Sequence, residues 1–248
     1  MNKNKLTKFK DYILDLLYPR HIKCIFCGNE LNDNSYNDTC EECMNSLPFI
    51  THSCLRCGAP IGDDNSGVCL NCKASNFDFK LARCVFSYKD KVISVIHKFK
   101  YSRMKFLSEP LGKYLCEYFA TWDINPDIIT SVPLHLSKLK RRGYNQSECI
   151  ARFLSEKYNI PYYDLCVKIV NNISQTELDL KQRKENVKNV FKFNNEYKKE
   201  VKDKTVLIID DVYTTGSTCN ELSKIILSAG AKEIYVLTLA HGLGNQKI

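Results

Sequence analysis

Residues 205–222 read TVLIIDDVYTTGSTCNEL. An unbroken apolar run meets two adjacent carboxylates, then a stretch of small and hydroxylated residues, then a helical pattern. An apolar run without polar alternation is a strand covered on both faces, as in a parallel sheet. Further strands are expected at 81–88 (LARCVFSY), in DIITSVPLH ending at Pro133, at 165–170 (LCVKIV), from Phe191 to Phe193 and in EIYVLTLA. Helical patterns cover 91–120, with an interruption around Ser108 to Pro110, then Asn145 to Tyr158 and Asn220 to Ser228. A basic loop follows Pro133, and residues 171–189 read as a long polar loop. Strands alternating with helices make an α/β fold with a mostly parallel sheet flanked by helices. Ligands of such sheets gather at the carboxyl ends of the strands, where this segment turns.

Two neighbouring acids at a strand end repel each other, so a ligand is expected to compensate them. Unpaired N–H groups at the start of the next helix attract an anion. Gly216 lets the loop wrap closely, and Thr214, Thr215, Ser217 and Thr218 add hydroxyl donors. Asp210 and Asp211 would repel a phosphate but accept hydrogen bonds from a vicinal diol. Phosphate and diol a few ångströms apart describe a ribose 5-phosphate. A plain helix cap at Ser217 or Thr218 would start the helix but leaves Asp210, Asp211 and the threonine pair unexplained. The GxxxxGK[ST] pattern of triphosphate loops is absent.

The front of the chain carries a second constraint. Of thirteen cysteines, eight form C-x-x-C pairs at Cys24/Cys27, Cys40/Cys43, Cys54/Cys57 and Cys69/Cys72. CIFCG and CLRCG recur thirty residues apart, so the unit is duplicated. Each turn aims two sulfurs at one tetrahedral ion, and Gly28 and Gly58 permit the positive φ that closes it. The repeated order favours neighbouring pairs: Cys24, Cys27, Cys40 and Cys43 on one Zn2+, with Cys54, Cys57, Cys69 and Cys72 on another. Pairing the first turn with the third also satisfies the count. Four thiolates leave no open position for water, so both ions are structural. Cys84, Cys116, Cys149, Cys166 and Cys219 read as small core residues.

The formal charge of +8 counts cysteines as neutral; eight thiolates on two Zn2+ would lower it to about +4. No apolar run approaches the ~18 residues of a membrane span. Asp11 and Asp15 interrupt the basic N-terminal segment, which argues against a signal peptide and for a reducing, cytoplasmic setting. Leu6, Phe9, Ile13, Leu16 and Leu17 fall on one helical face before Pro19. The expected organisation is an amphipathic helix at 1–20, a double zinc ribbon at 21–76 and an α/β domain at 77–248.

The stretch IIDDVYTTGST resembles the phosphoribosyl pyrophosphate (PRPP) motif of type I phosphoribosyltransferases. Over nearly its full length the chain resembles one branch, the ComF-type competence proteins. LLYPRHIKCIFC, the cysteine pairs, HKFKYSRMKFLSEPLG, SVPLHLSKLKRRGYNQSE and QTELDLKQRKENVKNVF carry that resemblance. It implies a transferase, or a non-catalytic accessory protein of the same fold, that binds PRPP with Mg2+ and acts in DNA uptake. Its implied partners are PRPP, single-stranded DNA and an uptake machinery at the inner membrane. By resemblance, Asp210 and Asp211 hold the ribose hydroxyls, with Val212 and Tyr213 leading into Thr214, Thr215, Gly216, Ser217 and Thr218 around the 5-phosphate. Leu134, His135, Leu136, Ser137 and Lys138 would form the pyrophosphate loop, beside Arg142, Gly143, Tyr144, Asn145 and Gln146. Residues 171–189, with Gln175, Arg183 and Asn186, would form the lid. Lys138, Arg142 and Arg183 are the expected catalytic cations; a solvated basic face is their other reading. Enzymes of this fold that act on 6-oxopurines carry Asp where Thr214 stands, which disfavours hypoxanthine or guanine as acceptor. The hood over the acceptor would come from the zinc module or from residues 84–125.

Overall fold

The structure is a computed structural model and describes residues 21–62, 67–170 and 189–242. The helix expected at 1–20 and the lid residues Gln175, Arg183 and Asn186 lie outside the described residues. The chain divides into two compact units, Met1–Leu47 and Pro48–Ile248. The division falls between the halves of the duplicated cysteine unit.

In the first unit, Cys24 N donates to Asn29 O and Gly28 N to Cys24 O, both at 2.8 Å, closing the first knuckle. Gly28 adopts φ +84°. The second cysteine pair opens helix α1 (Glu41–Ser46), with Cys40 at its N-cap.

The second unit opens on the repeat of that device. Cys54 N donates to Ala59 O at 2.8 Å and Gly58 N to Cys54 O at 3.0 Å, and Cys69 caps α2 (Leu70–Lys73). A four-stranded sheet follows, in the order β1 (Leu81–Ser87), β6 (Glu233–His241), β5 (Thr205–Tyr213), β2 (Ile128–Ser131). Every pairing is parallel. Helices α3 (Asp90–Tyr101) and α4 (Ser108–Ala120) lead to β2. Helices α5 (Leu136–Arg142) and α6 (Gln146–Tyr158) follow it. An antiparallel pair, β3 (Cys166–Lys168) with β4 (Phe191–Phe193), then precedes α7 (Lys198–Val201), β5 and α8 (Ser217–Ser228).

Helix α6 packs on β2 and β5, and α4 on β1 and β6. Residues Val206, Ile208, Ile234 and Val236 cluster with Leu222 and Ile226 of α8. Cys54, Cys57 and Cys72 belong to that same core. The ribbon also covers the free edge of β1: Ala82 N donates to Arg56 O at 2.7 Å and Ile50 N to Val85 O at 3.0 Å. Covering an edge strand removes a template for unwanted pairing. A Cβ at Gly58 would lie 2.8 Å from Arg83 Cα, so glycine sets how closely the knuckle approaches the strand.

Four sequence expectations are revised. The helical break falls at Ser102–Met104, because Pro110 sits in the first turn of α4, where its missing N–H has no partner to lose. The basic loop after Pro133 is largely helix α5, capped by His135 and ended by Gly143 at φ +86°. Strand β5 runs three residues beyond Asp210, and α8 begins at Ser217 rather than Asn220. The strands in DIITSVPLH and LCVKIV are shorter than expected, four and three residues.

Candidate ligand-binding and metal sites

Both acids of the DD pair stand on β5, in the middle of the sheet. Against β6 the ladder continues to its end, with Asp210 opposite Thr238 and Tyr213 opposite His241. Against β2 it stops at Ser131 opposite Ile209. Asp210 and Asp211 thus pass the end of β2, next to the segment that leads into α5. Such a notch at strand carboxyl ends is where open α/β sheets bind ligands.

The two carboxylates have separate partners. Asp210 Oδ1 accepts from Ser147 Oγ of α6 and from Asp211 N, both at 2.9 Å. Asp211 Oδ1 lies 2.8 Å from the Lys100 ammonium of α3. Burial, then the neighbouring Asp211 charge, pushes the Asp210 carboxyl up to about 7. Burial disfavours the charge on Lys100, but Asp211 outweighs it and holds Lys100 above its ordinary value. Lys168 of β3 lies near Asp210; its own burial, with repulsion from Lys138, brings it down to about 8.

Beyond the acids the chain turns at Gly216, which adopts φ +75° and caps α8. Thr215 Oγ1 lies 2.7 Å from Ser217 Oγ and accepts from Ser217 N at 3.3 Å. The loop is thereby bent over the first turn of α8. Tyr213, 1% exposed, lies beneath it, stacked on His241 with centroids 5.1 Å apart. Its phenol oxygen has no hydrogen-bond partner among the described residues. A Cβ on Gly216 would overlap that oxygen and sit 2.6 Å from Cζ. Gly216→Ala therefore meets both a left-handed backbone and a steric clash. The expected loss is about 1–3 kcal/mol of stability, read by denaturant titration, with loss of whatever the loop binds.

The other predicted residues divide. His135 caps α5 through Nδ1, which accepts from Ser137 N at 3.2 Å and lies 2.8 Å from Ser137 Oγ. Lys138 lies on the same short helix, with Leu136 at its start and Leu134 before it. Arg142 donates to Gln146 Oε1 at 2.9 Å and sits 4.8 Å from the Tyr101 ring centroid. Tyr144 Oη and Gln146 Nε2 both donate to Phe99 O, at 2.6 and 3.2 Å. Asn145 Nδ2 donates to Val132 O at 3.0 Å. The RGYNQ block thus ties α3 to the segment after β2. Lys100, Ser147 and Lys168 were missed as site residues, since each reaches the acids only through tertiary contact.

The cysteines form two tetrads in the sequential pairing: Cys24, Cys27, Cys40 and Cys43, and Cys54, Cys57, Cys69 and Cys72. Within each, the sulfurs lie within 4.8 Å of one another. Four sulfurs at about 2.3 Å from a tetrahedral Zn2+ stand about 3.8 Å apart. Cys27 and Cys40 sulfurs are 3.6 Å apart, and those of Cys57 and Cys69 3.7 Å. The residues fit the ion. Cys69 N points at Cys54 Sγ, 3.3 Å away. Burial works against the Cys54 thiolate, but this and two neighbouring amides bring it down to about 7. Among the described residues, these tetrads are the groupings of three or more side chains suited to a metal.

Comparison with known proteins agrees with this geometry. The double zinc ribbon domain family matches residues 13–73, and the phosphoribosyl transferase domain family residues 146–247. Competence protein F of Haemophilus influenzae is 30% identical over 230 residues, covering 89% of this chain and 97% of that protein. This chain belongs to the ComF-type competence protein family. The ComF-type assignment extends to competence protein ComFC of Streptococcus pneumoniae, 25% identical over 240 residues, covering 88% of this chain and 99% of the relative. The DNA utilization protein YhgH of Escherichia coli K12 is 28% identical over 210 residues, covering 82% and 90%. No helix among the described residues of this ComF-type chain is long and apolar enough to cross a membrane.

Proposed function

We propose that this protein binds PRPP at the carboxyl end of β5 and acts in DNA uptake, as a phosphoribosyltransferase whose acceptor is not a 6-oxopurine. The observation that carries this reading is the continuous path from Asp210 and Asp211, over Gly216, onto the first turn of α8. Two carboxylates fit the 2′- and 3′-hydroxyls. Thr214, Thr215, Ser217, Thr218 and the first amides of α8 fit the 5-phosphate.

In such a reaction the C1–pyrophosphate bond breaks and positive charge develops on the ribose ring. Mg2+, if bound with PRPP beside Asp210 and Asp211, would supply charge neutralisation of the leaving group. The chain's own work is to orient the sugar and place cations beside the departing charge. Lys138, Arg142 and Arg183 are the cations expected for that role, and Lys168, near Asp210, joins them. Thr214 has no accessible proton to exchange near neutral pH, so base activation must come from the acceptor or another residue. Residues of α3 reach the acid pair through Lys100, which favours the 84–125 segment as the hood.

A second reading keeps PRPP or single-stranded DNA binding without turnover. The four cations of α5, Lys138, Lys140, Arg141 and Arg142, favour it, since clustered cations suit a phosphate backbone. Pyrophosphate release in the presence of PRPP, Mg2+ and a panel of nucleobases and amines separates the two. Release with one acceptor supports the transferase; PRPP binding with no release from any supports the accessory protein.

A further inference from the structure

Lys100 is the unexpected member of the site, and its position is fixed with care. It occupies the last turn of α3 and is mostly covered, with side-chain exposure of 19%, against 12% for Asp211. The residue before it, Phe99, is fully buried, and its carbonyl accepts from both Tyr144 and Gln146. The carboxyl end of a helix also favours a cation. The remaining groups around the acids come from every neighbouring element. They are Tyr88 after β1, Ser147 of α6, Lys168 of β3 and the Cys219 thiol of α8.

A surface salt bridge would be screened and of little consequence. This one is not at the surface, and its carboxylate belongs to the pair assigned to the sugar. Two acids side by side without a cation share a proton, as like charges in one site do. A half-protonated pair offers a ribose diol fewer acceptors. Lys100 eases that conflict without abolishing it: it pairs with Asp211 and works against burial and the Asp211 charge at Asp210, while its position, set by Phe99, holds the ammonium on Asp211.

Resting on the PRPP reading above, we propose that Lys100 is a positioning residue for the acid pair, holding the Asp211 carboxylate in place as an acceptor for one ribose hydroxyl. The residue acts through Asp211 and has no direct part in bond breaking.

The test measures PRPP affinity with Mg2+ between pH 6 and 9 for the full zinc-loaded chain, Lys100→Met and Lys100→Arg. Lys100→Met is expected to weaken binding about tenfold near neutral pH. It should also move the midpoint of the affinity–pH profile upward by about one unit or more. Part of the affinity then returns at high pH. Lys100→Arg keeps the cation and should stay within about threefold of the native chain, with an unshifted midpoint. A Lys100→Met profile that superimposes on the native one, whatever its overall affinity, overturns the proposal, because a merely structural lysine would give that result. A second readout needs no PRPP. Thermal stability of Lys100→Met is compared in the native and Asp211→Asn backgrounds. A loss confined to the native background supports the coupling; equal losses in both overturn it. If the native chain binds no PRPP at all, the ligand reading falls, and this cycle still decides whether Lys100 acts through Asp211.

Discussion

Asp210→Asn and Asp211→Asn are both expected to weaken PRPP binding, yet to move stability in opposite directions. A hydrogen bond to a charged group contributes about 1.5–3 kcal/mol, so each change should cost roughly 10- to 100-fold in affinity. In the free protein, burial and Asp211 raise the Asp210 carboxyl to about 7 from 3.8. A carboxyl with a raised native value retains a proton that the unfolded chain has lost. Its contribution to stability is whole below about pH 4 and is lost as pH rises through about 7. Asp210→Asn removes that penalty, and a gain of about 1–3 kcal/mol is expected at pH 8. The gain should vanish near pH 4. Asp211→Asn instead strands the ammonium of Lys100 in a mostly buried position. Breaking one side of such a pair costs about 3 kcal/mol. Thermal melts of both variants at pH 4 and 8, beside PRPP titrations, check the four expectations together. Site residues chosen for a ligand rather than for packing commonly show this trade of stability for function.

The second large effect concerns zinc. Cys54, Cys57 and Cys72 lie in one core cluster with Phe79, Tyr213 and Leu222. The Tyr213 ring, edge-on to Phe79 at 6.3 Å, supports Gly216 from below. Structural Zn2+ contributes about 10–16 kcal/mol in small ribbon peptides. That is as large as the whole stability of an ordinary domain. Cys69→Ser, at the half-exposed corner of the second tetrad, should release one equivalent of zinc and lower the melting temperature of the sheet unit by more than ten degrees, roughly the shift that several kcal/mol produce in a chain of this size. PRPP binding should fail with it. Cys40→Ser removes one equivalent from the tetrad of the other compact unit, and the PRPP loop should keep its ligand. Zinc stoichiometry, melting and PRPP titration of the two variants give the comparison. Acidification should release both ions, because thiolates must take up protons as the metal leaves.

The parts of this protein written in local spacing were the parts open to reading. The apolar run before Asp210 marked a fully buried strand of a parallel sheet, and four C-x-x-C turns in a duplicated unit favoured the sequential tetrads that the structure brings together. Gly28 and Gly58 adopt the positive φ that their positions suggested, and Gly216 adopts one as well. Helix α5 is hard to see in the sequence because its four cations outweigh the spacing of Leu136 and Leu139, three residues apart, and the Gly143 stop. Lys100 was missed for a different reason. Within HKFKY it looks like one of two solvent-facing lysines, and only its tertiary placement brings it to Asp211. Ser147 stands 63 residues from Asp210 and reads locally as an ordinary first-turn serine. Such contacts are made by packing, and a single sequence does not mark them.

Calorimetric titration of PRPP with Mg2+ into the zinc-loaded native chain at pH 8, repeated with Asp210→Asn, puts the ligand assignment to its most direct trial. Saturable heat with one PRPP per chain, lost or strongly reduced in the variant, is the predicted result. Flat titrations for the native protein, or equal affinity in both, would contradict it.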